Sequence, residues 1–302
     1  MEARKSSSAR GWLVTLVGML AAVAIAINMF KVPPTMGLLM ADLGIGPALG
    51  GWLMTVPTVT GLVLALPSGG LTDKFGPKKV GLFAILSAAV GSLIGSFAPN
   101  IELLLFSRFV EGLSFALIGV AVPAIIALWF SPEKSGAPMA IWSGWVPIGM
   151  LAIFTGANLF IAADDPGTWA NVWWLSTALL VAAAVLYLVF VKAPEGYAAE
   201  DAPKISLVEG MKSPSTWLLA VVFAMFAFIM YAVSTFAPTY CMEELGYSLE
   251  DSNLYSSLIT VGMILGVVLM TPVLNKVVRL KSRIWLLVAS MVLTALIAVL
   301  AF

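Results

Sequence analysis

Residues 69–80 decide the fold, and they read Gly-Gly-Leu-Thr-Asp-Lys-Phe-Gly-Pro-Lys-Lys-Val. This polar segment lies between two apolar runs, residues 49–70 and 79–98, each of which is long enough to cross a bilayer as one helix. Glycine, proline and charged residues in such a place are typical of a turn outside the hydrocarbon layer. The segment therefore predicts two membrane-spanning helices that are joined by a short charged loop.

The composition extends this interpretation to the whole chain. Hydrophobic residues make up 61% of the 302 positions and charged residues only 11%, which is far more apolar than a water-soluble domain of this size. We predict nine membrane spans, at 11–31, 49–70, 79–98, 101–130, 136–161, 170–191, 216–240, 252–273 and 284–302. The predicted fold class is an all-α membrane protein.

Basic residues are distributed unevenly between the connections. Lysine and arginine occur before span one and after spans two, four, six and eight, whereas the other connections are mainly acidic. By the positive-inside rule, the amino terminus of this multi-pass protein is predicted to be cytoplasmic, in the inner (plasma) membrane of the cell. We interpret the polar residues 192–215 as a cytoplasmic linker between two helical bundles, 1–191 and 216–302.

The 69–80 segment resembles the loop between the second and third transmembrane helices of the major facilitator superfamily. The family pattern of glycine, leucine, aspartate and basic positions is matched by Gly69, Leu71, Asp73, Lys74, Gly76, Lys78 and Lys79, while Pro77 replaces a basic residue. The resemblance implies a secondary transporter in which Asp73 and its basic neighbours form a cytoplasmic latch between two halves. Physically, an acid at this place can cap a helix amino terminus and pair with nearby cations.

A weak copy of this segment follows span eight. Asn275 and Lys276 stand where Asp73 and Lys74 stand in the first copy, so the second half repeats the first, as two parallel six-helix halves would. A full member with this repeat would have twelve spans and roughly 400 residues. We therefore expect a complete first half, three helices of the second half, and a chain truncated before the latch partner on the family's eleventh helix.

Charged residues inside the spans are the first candidates for a functional site, because charge is costly within a bilayer. Arg108 and Glu111 lie three residues apart on one face of span four, and residues 108–112 resemble the Arg-x-x-x-Gly pattern of many facilitators. In the functional interpretation, Arg108 faces the central cavity and attracts an anion or steers a proton, which Glu111 takes up. In the structural alternative, the two residues are a neutralised pair that locks span four to its neighbours.

Lys31 and Asn28, near the outer end of span one, are further candidates. If Lys31 and the arginine of span four both face the cavity, they form a positive funnel that favours a small anionic solute. The alternative is a lysine that extends to the lipid headgroups. Trp145, inside span five, is a candidate for lining the cavity, and the neighbouring Pro147 is expected to kink that span.

The leading prediction is a secondary active transporter that moves a small solute by alternating access, with protons as the expected coupling ion and an anion as the favoured solute. Residues 129–134 and 144–149 also resemble bacterial branches that transport anions such as cyanate or nitrite. The alternative is a non-transporting remnant, scaffold or sensor on a transporter fold. No Walker loop, metal-ligand cluster or nucleophile–base pattern occurs. We therefore expect that the protein is not an enzyme and needs no cofactor or metal. We also expect that it binds no nucleic acid and is a monomer in the lipid bilayer.

Overall fold

The computed structural model describes residues 9–131, 133–194 and 212–276, together with positions 285, 288 and 289. Within these residues the chain is helical and contains no β-strand, which confirms the all-α class. The helices are α1 (Ala9–Met29), α2 (Met36–Leu43), α3 (Pro47–Phe75), α4 (Pro77–Ser96), α5 (Ile101–Trp129), α6 (Gly136–Trp142), α7 (Trp145–Gly156), α8 (Trp169–Phe190), α9 (Pro214–Glu243) and α10 (Leu249–Lys276). Short 3-10 turns lie at Pro33–Thr35, Ala157–Leu159 and Pro166–Thr168.

Seven helical segments of the described residues are long and apolar enough to cross a membrane, so the chain is a multi-pass membrane protein. They coincide with the first seven predicted spans, apart from shifts at their ends. The eighth predicted span falls on α10, which has 28 residues but is not one of these seven segments. The ninth predicted span and residues 195–211 of the predicted linker lie outside the described residues, apart from the three isolated positions.

The chain divides into two compact units, Met1–Thr260 and Val261–Phe302. The first unit contains α1 to α9 and the beginning of α10. The second unit begins within α10. Every contact discussed below lies in the first unit.

The first span continues beyond its predicted end at Lys31. After α1, the 3-10 turn Pro33–Thr35 redirects the chain into α2, and residues 30–36 are all buried. The sequence predicted an end here because the apolar run stops at Lys31. Two prolines follow, and because they lack the backbone donor of a helix, they suit the 3-10 turn. The consequence is that Lys31 is enclosed by protein instead of lying at the membrane surface.

The motif at residues 69–80 is mostly helical, so the predicted loop was wrong. α3 continues through Gly69, Asp73 and Lys74, and Gly76 is the single residue between α3 and α4. Gly76 has a φ of 84°, a conformation that glycine adopts without steric cost. Proline suits the first turn of α4, where its missing N–H would have no helical partner. Polar residues can therefore extend α3 until this glycine ends it.

The fifth predicted span is interrupted near the expected kink. α6 ends at Trp142 and α7 begins at Trp145, with two turn residues between them. Pro147 lies in the first turn of α7, where it cannot donate to the carbonyl of Ser143. The proline therefore accounts for the position of this break.

Two clusters of buried apolar side chains follow one another along the helices. One is formed by most of α1 with parts of α4, α5 and α8, and the other by the end of α1, α2, α7 and the beginnings of α5 and α8. Glycines bring these helices close together. A Cβ added at Gly91 would lie 2.6 Å from Cγ of Glu111, and one added at Gly95 would lie 2.5 Å from the ring of Trp173. α4 therefore packs tightly against α5 and α8.

Candidate functional site

Lys31, Arg108 and Glu111 form one buried ion cluster between the end of α1 and the first half of α5. The ammonium of Lys31 lies 2.8 Å from Oε1 of Glu111, and Nη1 of Arg108 donates to Oε2 of the same carboxylate. The side chains of the two cations are 0% exposed and that of Glu111 is 1% exposed. Two cations thus share one carboxylate, which leaves one positive charge in excess when all three groups are ionised.

Backbone carbonyl groups enclose the guanidinium of Arg108. Nε donates to the carbonyl of Leu53 in α3 at 2.8 Å, Nη1 to that of Asn28 at 3.1 Å, and Nη2 to that of Met29 at 2.9 Å. The last two carbonyls belong to the final turn of α1, where they have no partner within the helix. Arg108 therefore joins α1, α3 and α5, and it is enclosed by protein, whereas the sequence predicted a side chain that faces an open cavity.

Lys31 has partners for all three of its N–H groups. Besides Glu111, its Nζ donates to Oδ1 of Asn28 at 2.7 Å and to Oγ of Ser92 at 2.9 Å, and it lies 4.3 Å from the centroid of the Trp173 ring. The Ser92 hydroxyl in turn donates to the carbonyl of Trp173. The alternative of a lysine that reaches the headgroups is wrong, because this side chain is fully buried among α1, α4, α5 and α8.

Sequence reasoning did not single out Ser92 or Trp173. A lone serine or tryptophan in an apolar helix is compatible with many positions, so neither residue type is a signal by itself. The available hint was the spacing of Gly91 and Gly95, which favours close approach of α4 to a neighbouring helix. Ser92 follows Gly91 directly, in the part of α4 that approaches α5 and α8 closely.

Trp145 lies outside the ion cluster. Its ring centroid is 4.8 Å from that of Phe115 and 5.4 Å from that of Trp142, on which it stacks. The side chain belongs to the buried apolar cluster of α1, α4, α5 and α8. Lys31 and Arg108 do not form the predicted positive funnel in this structure, because both side chains converge on the carboxylate of Glu111 instead of lining an open path.

The predicted latch residues lie at the junction of α3 and α4. Asp73 is exposed, and its carboxylate forms no hydrogen bond or ion pair with any other described residue. The amino end of α4 has no side-chain cap, so the expectation that Asp73 caps this helix was wrong. Lys74 lies 5.3 Å from the ring centroid of Phe75, and Lys78 donates to the carbonyl of Leu188 in α8 at 3.0 Å.

α9 and α10 contact the earlier helices next to the ion cluster. The ring of Tyr231 in α9 stacks on Phe30, which directly precedes the lysine of the cluster, with 5.4 Å between the ring centroids. Nδ2 of Asn253 in α10 donates to the carbonyl of Pro34 at 3.2 Å and to Oδ1 of Asn158 at 2.7 Å. These contacts place two later helices against the end of the span that carries Lys31.

Chemically, this cluster could take up a proton or bind an anion. A proton added to Glu111 would remove the charge that both cations share, and an anion could compete with the carboxylate for them. In the part of the chain that the structure describes, no three His, Cys, Asp or Glu side chains are placed to hold a metal ion together.

Comparison of the chain with known proteins identifies its family. A family model described as the Major Facilitator Superfamily matches residues 16–302. The chain belongs to the major facilitator superfamily. The resemblance carried by residues 69–80 is thereby confirmed, and the match includes every residue of the ion cluster.

Several curated relatives of this facilitator are named as transporters. A Bacillus subtilis (strain 168) protein named as a niacin/nicotinamide transporter is 24% identical over 255 residues, which cover 81% of this chain and 60% of the relative. A Mycobacterium tuberculosis (H37Rv) protein named as a nitrate/nitrite transporter is 25% identical over 240 residues, covering 77% and 58%. The galactose-proton symporter of Escherichia coli K12 is 28% identical over 163 residues, covering 52% and 34%. The chain thus spans at most about 60% of the length of these relatives.

A solved structure shares the fold. The crystal structure of a D-xylose-proton symporter superposes with a TM-score of 0.61 over 88% of this chain and 69% of the symporter chain, at 14% sequence identity. This likeness supports the facilitator-like helical architecture. The transporter names of the relatives agree with the expectation that this protein is not an enzyme.

Proposed function

We propose that this facilitator is a secondary active transporter, which moves a small anionic solute together with a proton by alternating access. The observation that carries the proposal is the buried cluster of Lys31, Glu111 and Arg108, with two cations on one carboxylate. Membership of a family whose named relatives are transporters supports it. The charge asymmetry of the connections favours a cytoplasmic amino terminus in the cell membrane.

The excess positive charge favours an anion over a neutral solute. One arginine–glutamate pair could lock α5 to its neighbours without leaving a net charge, and each further buried charge carries a desolvation cost of several kcal/mol. Lys31 adds such a charge, and both ion pairs of the described residues go to the same carboxylate of Glu111. An arriving anion would be attracted strongly, because the dielectric screening at a buried site is weak.

The hydrogen bonds of the cluster favour coupling to a proton. All N–H groups of Lys31 are engaged. Those of Arg108 go to backbone carbonyls, to Glu111 and to two methionine sulfurs. An anion can bind these cations only if Glu111 releases them. Protonation of Glu111 removes its charge and achieves this release. Because the proton and the anion enter together, the cluster carries the same net charge when it is empty and when it is loaded.

The contacts of α9 and α10 provide a route from loading to conformational change. Phe30, which directly precedes Lys31 in the chain, stacks on the ring of Tyr231, so a change in the partners of Lys31 acts next to a contact with α9. In alternating access, this contact and the hydrogen bond of Asn253 would separate when the site opens to their side. Ser234, one turn after Tyr231, has a buried hydroxyl without a partner among the described residues and is a candidate contact for the solute.

The charge of the ion cluster narrows the identity of the solute to anions. Nitrate and nitrite, named for the Mycobacterium tuberculosis relative, are small anions of the kind that the cluster favours. We also propose that Asp73, Lys74 and Lys79, exposed at the α3–α4 junction, belong to a latch that closes the opposite end of the path.

Reconstitution of the purified 302-residue chain into liposomes tests this function. Nitrate, nitrite and nicotinate are added outside, with galactose as a neutral comparison, while internal pH and transient currents are recorded. We expect an inward gradient of at least one anion to carry protons inward. Glu111→Gln should retain anion binding and lose proton movement. Glu102→Gln, in the exposed first turn of the same helix, is the matched control and should behave as the unmodified protein.

Two results would contradict the proposal in different ways. Proton movement driven by galactose and by none of the anions would assign a neutral solute and refute the argument from charge. A folded and reconstituted chain that responds to none of the solutes would refute transport by this chain, and would favour the non-transporting alternative.

A further inference from the structure

We propose a second binding site, which holds the phosphate headgroup of an anionic phospholipid at the predicted cytoplasmic end of the helices. A cavity of about 280 Å³ lies where α3 ends at Phe75, α4 begins at Pro77, and the last residues of α5 and α8 approach them. The ends of four apolar helices mark the boundary of the hydrocarbon layer, which is the depth of lipid headgroups. This site is separate from the ion cluster and does not depend on transport.

Three lysines give the cavity its charge. Lys78, Lys79 and Lys192 line it. Lys78 spends one N–H group on the carbonyl of Leu188 and retains two others, since an ammonium has three. Lys79 and Lys192 are exposed, and their ammonium groups have no hydrogen bond or ion pair with any described residue. Both ion pairs of the described residues lie in the buried cluster, so none of these lysines has a carboxylate partner there.

The amino end of α4 adds directed donors to this charge. The helix begins at Pro77 without a side-chain cap, and the backbone N–H groups of Lys78 and Lys79 have no partner within the helix. Unpaired N–H groups and the positive end of the helix dipole form a site that suits a phosphate. The same residues therefore present backbone and side-chain donors to one cavity.

The apolar part of the cavity indicates a lipid in preference to a free phosphate. Phe75, Ile125, Leu128 and Val191 line the cavity together with the lysines, and a phospholipid can place its first acyl carbons against them. Trp129 lies at the same level, where its indole N–H donates to the carbonyl of Lys192 at 2.9 Å, a placement typical of tryptophan at a membrane interface. Basic residues beside cytoplasmic helix ends attract anionic lipids.

Native mass spectrometry of the purified chain in detergent tests the site. The protein is titrated with phosphatidylglycerol, with zwitterionic phosphatidylcholine, and with inorganic phosphate as the soluble comparison. We expect tighter binding of phosphatidylglycerol than of phosphatidylcholine. The variant with Lys78→Gln, Lys79→Gln and Lys192→Gln should weaken that binding on the order of 100-fold, from about fivefold for each lysine removed. The matched control Lys134→Gln removes an exposed lysine that does not line the cavity, and should leave binding unchanged.

The triple variant must keep its helical circular dichroism and its melting temperature. If it unfolds, the double variant of Lys79→Gln and Lys192→Gln, which changes only exposed ammonium groups without partners, carries the test with an expected loss of about 25-fold. Equal binding of phosphatidylglycerol by the folded variant and the unmodified protein would overturn the proposal, as would equal binding of the two lipids. Displacement of the lipid by inorganic phosphate would assign the cavity to a soluble anion and reject the lipid.

Discussion

Replacing Glu111 with glutamine should destabilise the protein by about 3–5 kcal/mol, the range seen when one partner of a buried ion pair is removed. Glutamine preserves the size of the side chain, so packing against Gly91 is maintained. The ammonium of Lys31 and the guanidinium of Arg108 then remain without a counter-charge at a site where both are 0% exposed. The excess of positive charge in the cluster doubles.

A second substitution separates the effect of charge from that of shape. Lys31→Met leaves the Arg108–Glu111 pair neutral and loses the hydrogen bonds to Asn28 and Ser92, for which we expect a cost of about 1–3 kcal/mol. In the double variant of Lys31→Met and Glu111→Gln, the excess charge returns to its original value. The double variant should therefore be more stable than the sum of the single effects predicts, by about 1–3 kcal/mol.

The assay is the unfolding of each variant in detergent, followed by tryptophan fluorescence, with and without added anion. An anion that binds the Glu111→Gln protein should raise its free energy of unfolding by about 2.7 kcal/mol when the anion concentration is a hundred times the dissociation constant. The reasoning is refuted if the Glu111→Gln variant has the same melting temperature as the unmodified protein. It is also refuted if the two single effects simply add, because net charge would then not determine the stability of the cluster.

Three further predictions concern the surroundings of the cluster. Arg108→Lys should abolish proton-coupled transport while the protein still inserts into the membrane, because an ammonium cannot reach the three carbonyls that the guanidinium fork holds; transport at the normal rate would contradict this. Gly91→Ala should lower stability by about 1–3 kcal/mol, since its Cβ would overlap Glu111, whereas Gly119→Ala, which meets open space, should not; equal melting temperatures for the two variants would refute the close packing. A disulfide between Asn158→Cys and Asn253→Cys, in a background without the native cysteine, should stop transport until a reductant is added, and unaffected transport by the cross-linked protein would show that this contact need not open.

The first seven spans and the pairing within α5 could be predicted from sequence because both are local properties. Hydropathy over about 20 residues identifies a spanning helix, and a separation of three residues places Arg108 and Glu111 on one face. The rest of the cluster depends on distant residues. Lys31 is 61 residues from Ser92 and 80 from Glu111, and no local pattern indicates that these side chains meet. The burial of Lys31 was also hidden, because a lysine after an apolar run is usually the end of a span.

The connection between α3 and α4 shows a second limit. Its polar composition predicts a position outside the hydrocarbon layer, but composition does not distinguish a loop from the exposed end of a helix. What determines the structure is one residue, Gly76, whose positive φ ends α3 while Pro77 begins α4. Several turn-forming residues lie close together in this part of the sequence. Only the backbone shows that Gly76 and Pro77 determine where α3 ends and α4 begins.

This one-residue junction has a mechanical consequence. Because Gly76 alone separates two long helices, α4 can act as a stiff lever whose fulcrum lies beside the charged end of α3. Ser92, sixteen residues further along, is about 24 Å from that fulcrum. A tilt of about 5° at Gly76 would therefore displace the Ser92 hydroxyl by about 2 Å. Such a displacement is large enough to break the 2.9 Å hydrogen bond that Ser92 accepts from Lys31. A force on the exposed turn would therefore change the hydrogen bonds of the buried ion cluster.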